Sequence, residues 1–130
     1  VTWLLDTNVL SAAVRGIPSV VDRLRATPPS AIVISPISVA ELRFGAARRR
    51  SQVLDSACSR LLAELRVEPL TSDIAALAGQ LMADRADQGR PLHLADALIA
   101  AQAILGQHVL VSHDRDFTGL ADLRCEDWQA

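Results

Sequence analysis

Short apolar runs alternate with longer stretches of helical periodicity along the whole chain. Residues 2–5, 31–34, 66–70 and 109–112 are brief, partly β-branched, and bounded by proline, polar or charged residues, which predicts strands. Between them, residues 9–14, 20–25, 39–48, 53–65, 74–86 and 94–105 are rich in Ala and Leu and carry apolar positions at helical spacing, which predicts helices. A weaker strand is expected over 123–128. Strands separated by helices imply right-handed crossovers, a mainly parallel central sheet and helices on both of its faces, a three-layer α/β/α fold. No repeat, low-complexity tract or long linker divides the sequence, and Thr27-Pro28-Pro29-Ser30 reads as a tight connection, so residues 1–130 are expected to form one domain.

That architecture directs attention to particular residues, because open parallel sheets bind ligands beyond the carboxyl ends of their strands. Asp6 ends the first strand within L-L-D-T-N-V-L. Glu41 lies in the helix after the second strand, Asp96 in the first turn of the helix near His93, and Asp114 and Asp116 just beyond V-L-V-S. Each has a purely structural account. Asp6 or Asn8 suits a helix N-cap. Ser38-Val39-Ala40-Glu41 has the capping-box pattern, Asp96 suits the positive end of a helix dipole, and the late pair suits a solvated turn. Those accounts do not explain why all the acids fall at one edge of the sheet. Two carboxylates about 5 Å apart repel by roughly 3 kcal/mol at an effective dielectric near 20, so such a cluster calls for a proton or a cation. Mg²⁺ and Mn²⁺ take hard oxygen ligands, and one or two of them in such a pocket fit phosphodiester hydrolysis.

Composition narrows the choice. Half of the 130 residues are hydrophobic, yet no run approaches the ~20 apolar residues needed to cross a bilayer. The start, V-T-W-L-L-D, has neither a basic region ahead of an apolar run nor a small-residue cleavage site, so a cytoplasmic protein without membrane association is expected. The net charge of -2 disfavours bulk electrostatic attraction to nucleic acid, and any RNA contact must be local. All 13 basic residues are Arg; the absence of Lys removes Schiff-base chemistry and a Walker-type phosphate loop. Cys58 and Cys125 match no redox or zinc spacing and are expected to be reduced packing residues. Trp3, Phe44, Phe117 and Trp128 are too few for base stacking across a sheet. Arg43 and Arg115 are the candidates for RNA contact. Arg48 to Arg50 suit either phosphate binding or a solvated helix end.

The motifs together resemble the PIN domain, and within it the VapC-type toxins of bacterial toxin-antitoxin modules. L-D-T-N-V-L looks like the first motif of that family, I-S-V-A-E-L-R-F-G the second, A-D-A-L-I-A-A-Q-A the third and V-S-H-D-R-D-F the fourth, and the likeness spans nearly the whole chain. It implies a metal-dependent endoribonuclease with Asp6, Glu41, Asp96 and Asp114 as catalytic acids. Asp6, Asp96, Asp114 and Asp116 would be metal ligands, with Thr7, Asn8 and Ser112 in support. It also implies a homodimer neutralised by a small cognate antitoxin. Three other readings are weighed against it: a DNA nuclease using the same acids, a catalytically silent binding module of the same fold, and a histidine–aspartate phosphohydrolase built on His113-Asp114. The last requires further converging histidines, and His93 and His108 lie elsewhere in the sequence.

Overall fold

The computed structural model describes residues 1–129. Five strands, β1 (Trp3–Leu5), β2 (Ile32–Ile34), β3 (Arg66–Val67), β4 (Val109–Val111) and β5 (Arg124–Glu126), form one sheet in the order β3-β2-β1-β4-β5. Every adjacent pair is parallel, with Leu4 opposite Val33 and Leu110, and Leu5 opposite Val111. Six α-helices make the crossovers: α1 (Thr7–Val14) and α2 (Pro18–Ala26), α3 (Pro36–Arg49) and α4 (Gln52–Glu64), then α5 (Ser72–Asp87) and α6 (Leu94–Gly106).

Alternation along the strands divides the core in two. Leu5, Ile32, Ile34 and Val111 point to the face packed with residues of α1 to α4, including Leu10, Val20, Leu42 and Cys58. Leu4, Val33 and Leu110 point to the other face, against Ile99, Ala100 and Ala103 of α6 and against Phe117. Ile74, Ala78, Ala97 and Ala101 then bind α5 to α6. These strands read as continuous apolar runs because both faces of a parallel sheet are covered.

Most predicted elements are present, with shifted ends. The third strand stops at Val67 rather than residue 70, since Pro69 has no N–H to continue a ladder. The connection before β2 contains a 3-10 turn, Pro29–Ala31. The largest correction concerns α3. It starts at Pro36, three residues earlier than predicted, with Ser35 as N-cap accepting from the Ile37 N–H at 3.1 Å. Proline in the first turn costs no intrahelical bond and has its φ preset for a helix. The pattern Ser38-x-x-Glu41 therefore lies inside α3 and forms no capping box. Cys58 is buried as expected, but Cys125 is exposed on β5 and is not a packing residue; both thiols are free.

The strand order reverses beside β1: the chain runs outward through β2 and β3, then returns to the other side of β1 for β4 and β5. The carboxyl ends of β1 and β4 flank this switch point, where a parallel sheet opens a crevice.

Candidate active site

Asp6 continues directly from β1, its N–H donating to Val111 O at 3.0 Å, and it caps α1. Its carboxylate is buried, only 6 % of the residue being exposed. Oδ1 accepts from the Thr7 N–H at 2.8 Å and Oδ2 from the Ser112 hydroxyl at 2.9 Å. Burial pushes the Asp6 carboxyl above its ordinary pKa; the two hydrogen bonds pull it back, and the charges of Asp114 and Glu41 push it up again to a smaller degree, with Asp114 the larger of the two.

Ser112 closes β4, and its hydroxyl also accepts from the Asp114 N–H at 3.0 Å. Asp114 then caps the 3-10 turn Arg115–Phe117, its Oδ1 taking the Asp116 N–H at 2.9 Å. Phe117 is buried against the sheet and anchors the turn. From the opposite side, Asp96 projects from the first turn of α6, whose N-cap, His93, makes no side-chain cap bond. A carboxylate oxygen from each of Asp96, Asp114 and Asp116 lies within 4.8 Å of the other two. Burial lifts the Asp96 pKa from 3.8 to about 6, and the charges of Asp6, Asp114, Asp116 and Glu41 add to the rise. Burial first, and the neighbouring charges second, thus favour the protonated form of this carboxyl more than water would.

Glu41 is exposed and reaches the crevice from the second turn of α3. Its Oε1 accepts from the Thr7 hydroxyl at 2.7 Å, and the Thr7 oxygen also lies 3.1 Å from Ser38 Oγ. With the capping box gone, this bridge from α1 to α3 is the local structural role of Glu41. Asn8 is exposed at the start of α1 beside it.

The basic candidates separate. Arg43 turns away from the acids and binds α4, through Ser59 Oγ at 2.9 Å and Asp55 at 3.4 Å. Arg115 is exposed on the turn between Asp114 and Asp116. His113 is exposed as expected of a turn residue and pairs with Asp127 at 2.7 Å, while His108 is buried near Glu68. The histidines do not converge on Asp114, so the arrangement that a histidine–aspartate phosphohydrolase needs is not formed.

Two supporting residues were not anticipated. Ser38 touches Thr7 through a pairing 31 residues apart. Arg85, buried on α5, donates from Nε to Arg90 O at 3.0 Å and from Nη1 to Asp116 O at 2.9 Å, tying the acidic turn to α5. Nothing near Arg85 in the sequence marks it as different from an exposed helical arginine. Its burial on the predicted apolar face at helical spacing, seven residues after Ala78, was the one available signal.

An α/β/α fold with acids gathered at the switch point of a parallel sheet defines a class of hydrolase-like domains, and the sequence places the chain within it. The PIN domain profile matches residues 3–123, and the chain belongs to the PIN domain family. It is 30% identical over 97% of its length, and 97% of the relative's, to the tRNA(fMet)-specific endonuclease VapC of Shigella flexneri. Its structure is similar to VapBC2 from Rickettsia felis, solved bound to a DNA fragment from their promoter, with a TM-score of 0.86 and 25% identity over 98% of this chain and 99% of that one. A toxin-antitoxin complex from Klebsiella pneumoniae aligns with a TM-score of 0.76 and 28% identity, covering 94% of this chain and 95% of that one.

Proposed function

We propose that the protein is a divalent-metal-dependent endoribonuclease acting in the cytoplasm as the toxin of a toxin-antitoxin pair, with all 130 residues in one domain. The observation that carries this reading is the convergence of Asp96, Asp114 and Asp116 within 4.8 Å, facing Asp6, at the switch point. The donor set fits Mg²⁺ or Mn²⁺: every group is a hard carboxylate oxygen, and a cation would offset both the burial that lifts Asp96 and the repulsion that adds to it. Asp6, Asp96, Asp114 and Asp116 are the residues that would hold it. When bound, such an ion supplies positive charge against the oxygens of the scissile phosphate and makes an attacking water more acidic.

The chain's own groups prepare that site. Ser112 and the Thr7 N–H fix both oxygens of Asp6 in place, and Ser112 at the same time orients the backbone of the turn carrying Asp114. Thr7 holds Oε1 of Glu41, and the carboxylate at the edge of the crevice would serve as a proton acceptor for water. Arg115, exposed between the two late acids, would meet a phosphate of the incoming strand, a role its exposure supports. RNA as substrate is supported by the naming of the Shigella flexneri relative as a tRNA-specific endonuclease, and a small antitoxin by the Klebsiella pneumoniae complex. Exposed apolar side chains on three helices, Phe44, Val53 and Leu94, offer surface both for that antitoxin and for the second subunit of a homodimer.

Incubation of the purified protein with total RNA, in Mg²⁺, in Mn²⁺ and in chelator, tests the reading. New internal ends that require the metal are expected. Intact RNA under every condition, or equal cleavage in chelator, would overturn it.

A further inference from the structure

We infer that the groove between α1 and α3, leading away from the acids, is the track of the RNA backbone, with Arg15 and Arg49 as a phosphate subsite at its far end. This rests on the ribonuclease reading above. The groove encloses about 140 Å³ and begins at Thr7 and Glu41, the pair that borders the acid cluster. It continues along α1 through Asn8, Ser11 and Arg15 and along α3 through Gly45 and Arg49. Those positions follow helical spacing, i, i+3, i+7 on α1 and i, i+4, i+8 on α3, so each helix lends a polar stripe to a groove whose apolar floor is Val14, Leu42 and Ala46 with Leu54 and Cys58 of α4. From Glu41 to Arg49 the stripe runs about 12 Å, which carries a strand past the scissile phosphate to its neighbours.

Two observations point to an occupant of this chemistry. First, Arg15 and Arg49 are exposed at the groove and, like most of the arginines, have no acidic partner among the described residues, Arg15 meeting only the Ser11 carbonyl at 3.4 Å. Uncompensated guanidinium groups at the end of a groove that starts at an anionic pocket suit a polyanion whose reacting phosphate alone sits among carboxylates. Second, Gly45 lies in the interior of α3, where glycine costs about 1 kcal/mol relative to alanine. Neither backbone nor packing demands it: its φ is not positive, and a Cβ built there meets nothing within 4 Å. Gly79 on α5 is equally open, but Gly45 differs in lining a groove between two arginines and the acids. A missing side chain at that point lets a sugar–phosphate backbone approach the helix.

The test uses the full chain and a labelled, mixed-sequence 2′-O-methyl oligoribonucleotide, which binds without being cleaved, followed by fluorescence anisotropy across a salt series. Arg15→Gln and Arg49→Gln are each expected to weaken binding roughly tenfold and to lower the slope of log affinity against log salt by about 0.7, as for loss of one phosphate contact on a single strand. In cleavage assays both should raise KM and leave kcat near wild type. Gly45→Ala should raise Tm, because the helix gains propensity, and still weaken the probe. Its higher Tm excludes misfolding as the cause. Probe affinity and salt slope unchanged in all three variants would overturn the inference while leaving the ribonuclease reading intact. The same unchanged RNA affinity, combined with loss of a protein partner, would assign the groove to that protein and equally overturn it. A wild-type chain that neither binds the probe nor cleaves RNA would overturn both.

Discussion

At the start of β4, His108 is buried and satisfied on both sides: one ring nitrogen meets the Thr2 hydroxyl and the other Glu68 Oε2 at 2.7 Å. Gly106 makes room for the ring, since a Cβ there would fall 2.3 Å from Nε2. At the other end of the same strand, three residues long, Ser112 leads into a crevice where Asp6, Asp96, Asp114 and Asp116 face one another. The first arrangement pairs groups of complementary character, and the fold gains from it. The second gathers groups of like charge, and the fold pays until a cation or a proton arrives. Polar groups thus serve stability at one end of β4 and, in the function proposed above, chemistry at the other, and substitutions at the two ends should have opposite signatures.

The sharpest test is Asp96→Asn. Cleavage of RNA should fall at least about 100-fold, since the proposed metal site would lose a charged oxygen ligand and its contribution to affinity. Melting in chelator should be unchanged or higher, because one member of a repelling cluster is gone. A folded variant with near-wild-type cleavage would erase the distinction between the two ends. At the start of β4 the converse is expected. His108→Ala should lower stability by about 3 kcal/mol by leaving Glu68 and Thr2 unpartnered and opening a cavity, with the specific activity of the folded fraction preserved. Urea unfolding beside an active-fraction titration would show it.

Acidity sharpens the comparison further. The Asp96 carboxyl titrates at about 6 in the fold against an ordinary 3.8. Between those values the folded chain holds more protons than the unfolded one, so metal-free stability should fall as pH rises from about 4 to about 6 and level off above. Saturating Mg²⁺ should flatten that decline. Thermal melts across this range, with and without the ion, would check the sign; stability rising with pH in chelator would mean that the acids are not mutually repelling. The smallest expected effect is at Glu41. Glu41→Gln keeps an oxygen for Thr7 and should change stability by no more than about 0.5 kcal/mol, while cleavage falls at least about tenfold through loss of a charged acceptor. Ser35→Ala should show the reverse, losing about 1 kcal/mol with the cap it removes and retaining activity. If Glu41→Gln cleaved normally, the carboxylate would serve only to bridge α1 and α3.

Much of this is legible in the sequence for a physical reason. In a parallel sheet with helical crossovers, the residue after a strand and the residue opening the next helix share one edge, so Asp6, Asp96 and Asp114 can be placed from local pattern alone. Helix starts are less secure. Ser35 and Ser38 both precede a plausible first turn, and only the preset φ of Pro36 decides between them. Side-chain direction is the hardest to read. Arg43 shares a helix with Glu41 but lies two residues on, about 200° around the axis, and so faces α4. Arg85 supports Asp116 across 31 residues through a carbonyl, a contact with no residue-type signature on either side.

The central position of β1 also governs when the protein can become active as it is made. β1 is enclosed by β2 on one side and by β4 on the other, and the second partner lies more than a hundred residues later. An emerging chain that has not yet delivered Val109–Val111 has no second wall for the crevice, no Ser112 to hold Asp6 and no acidic turn. Closing so long a loop is also slow relative to local helix formation. The acid pocket therefore assembles abruptly, only once β4 has been delivered, and until then the nascent chain has no formed site with which to cut the RNA around it.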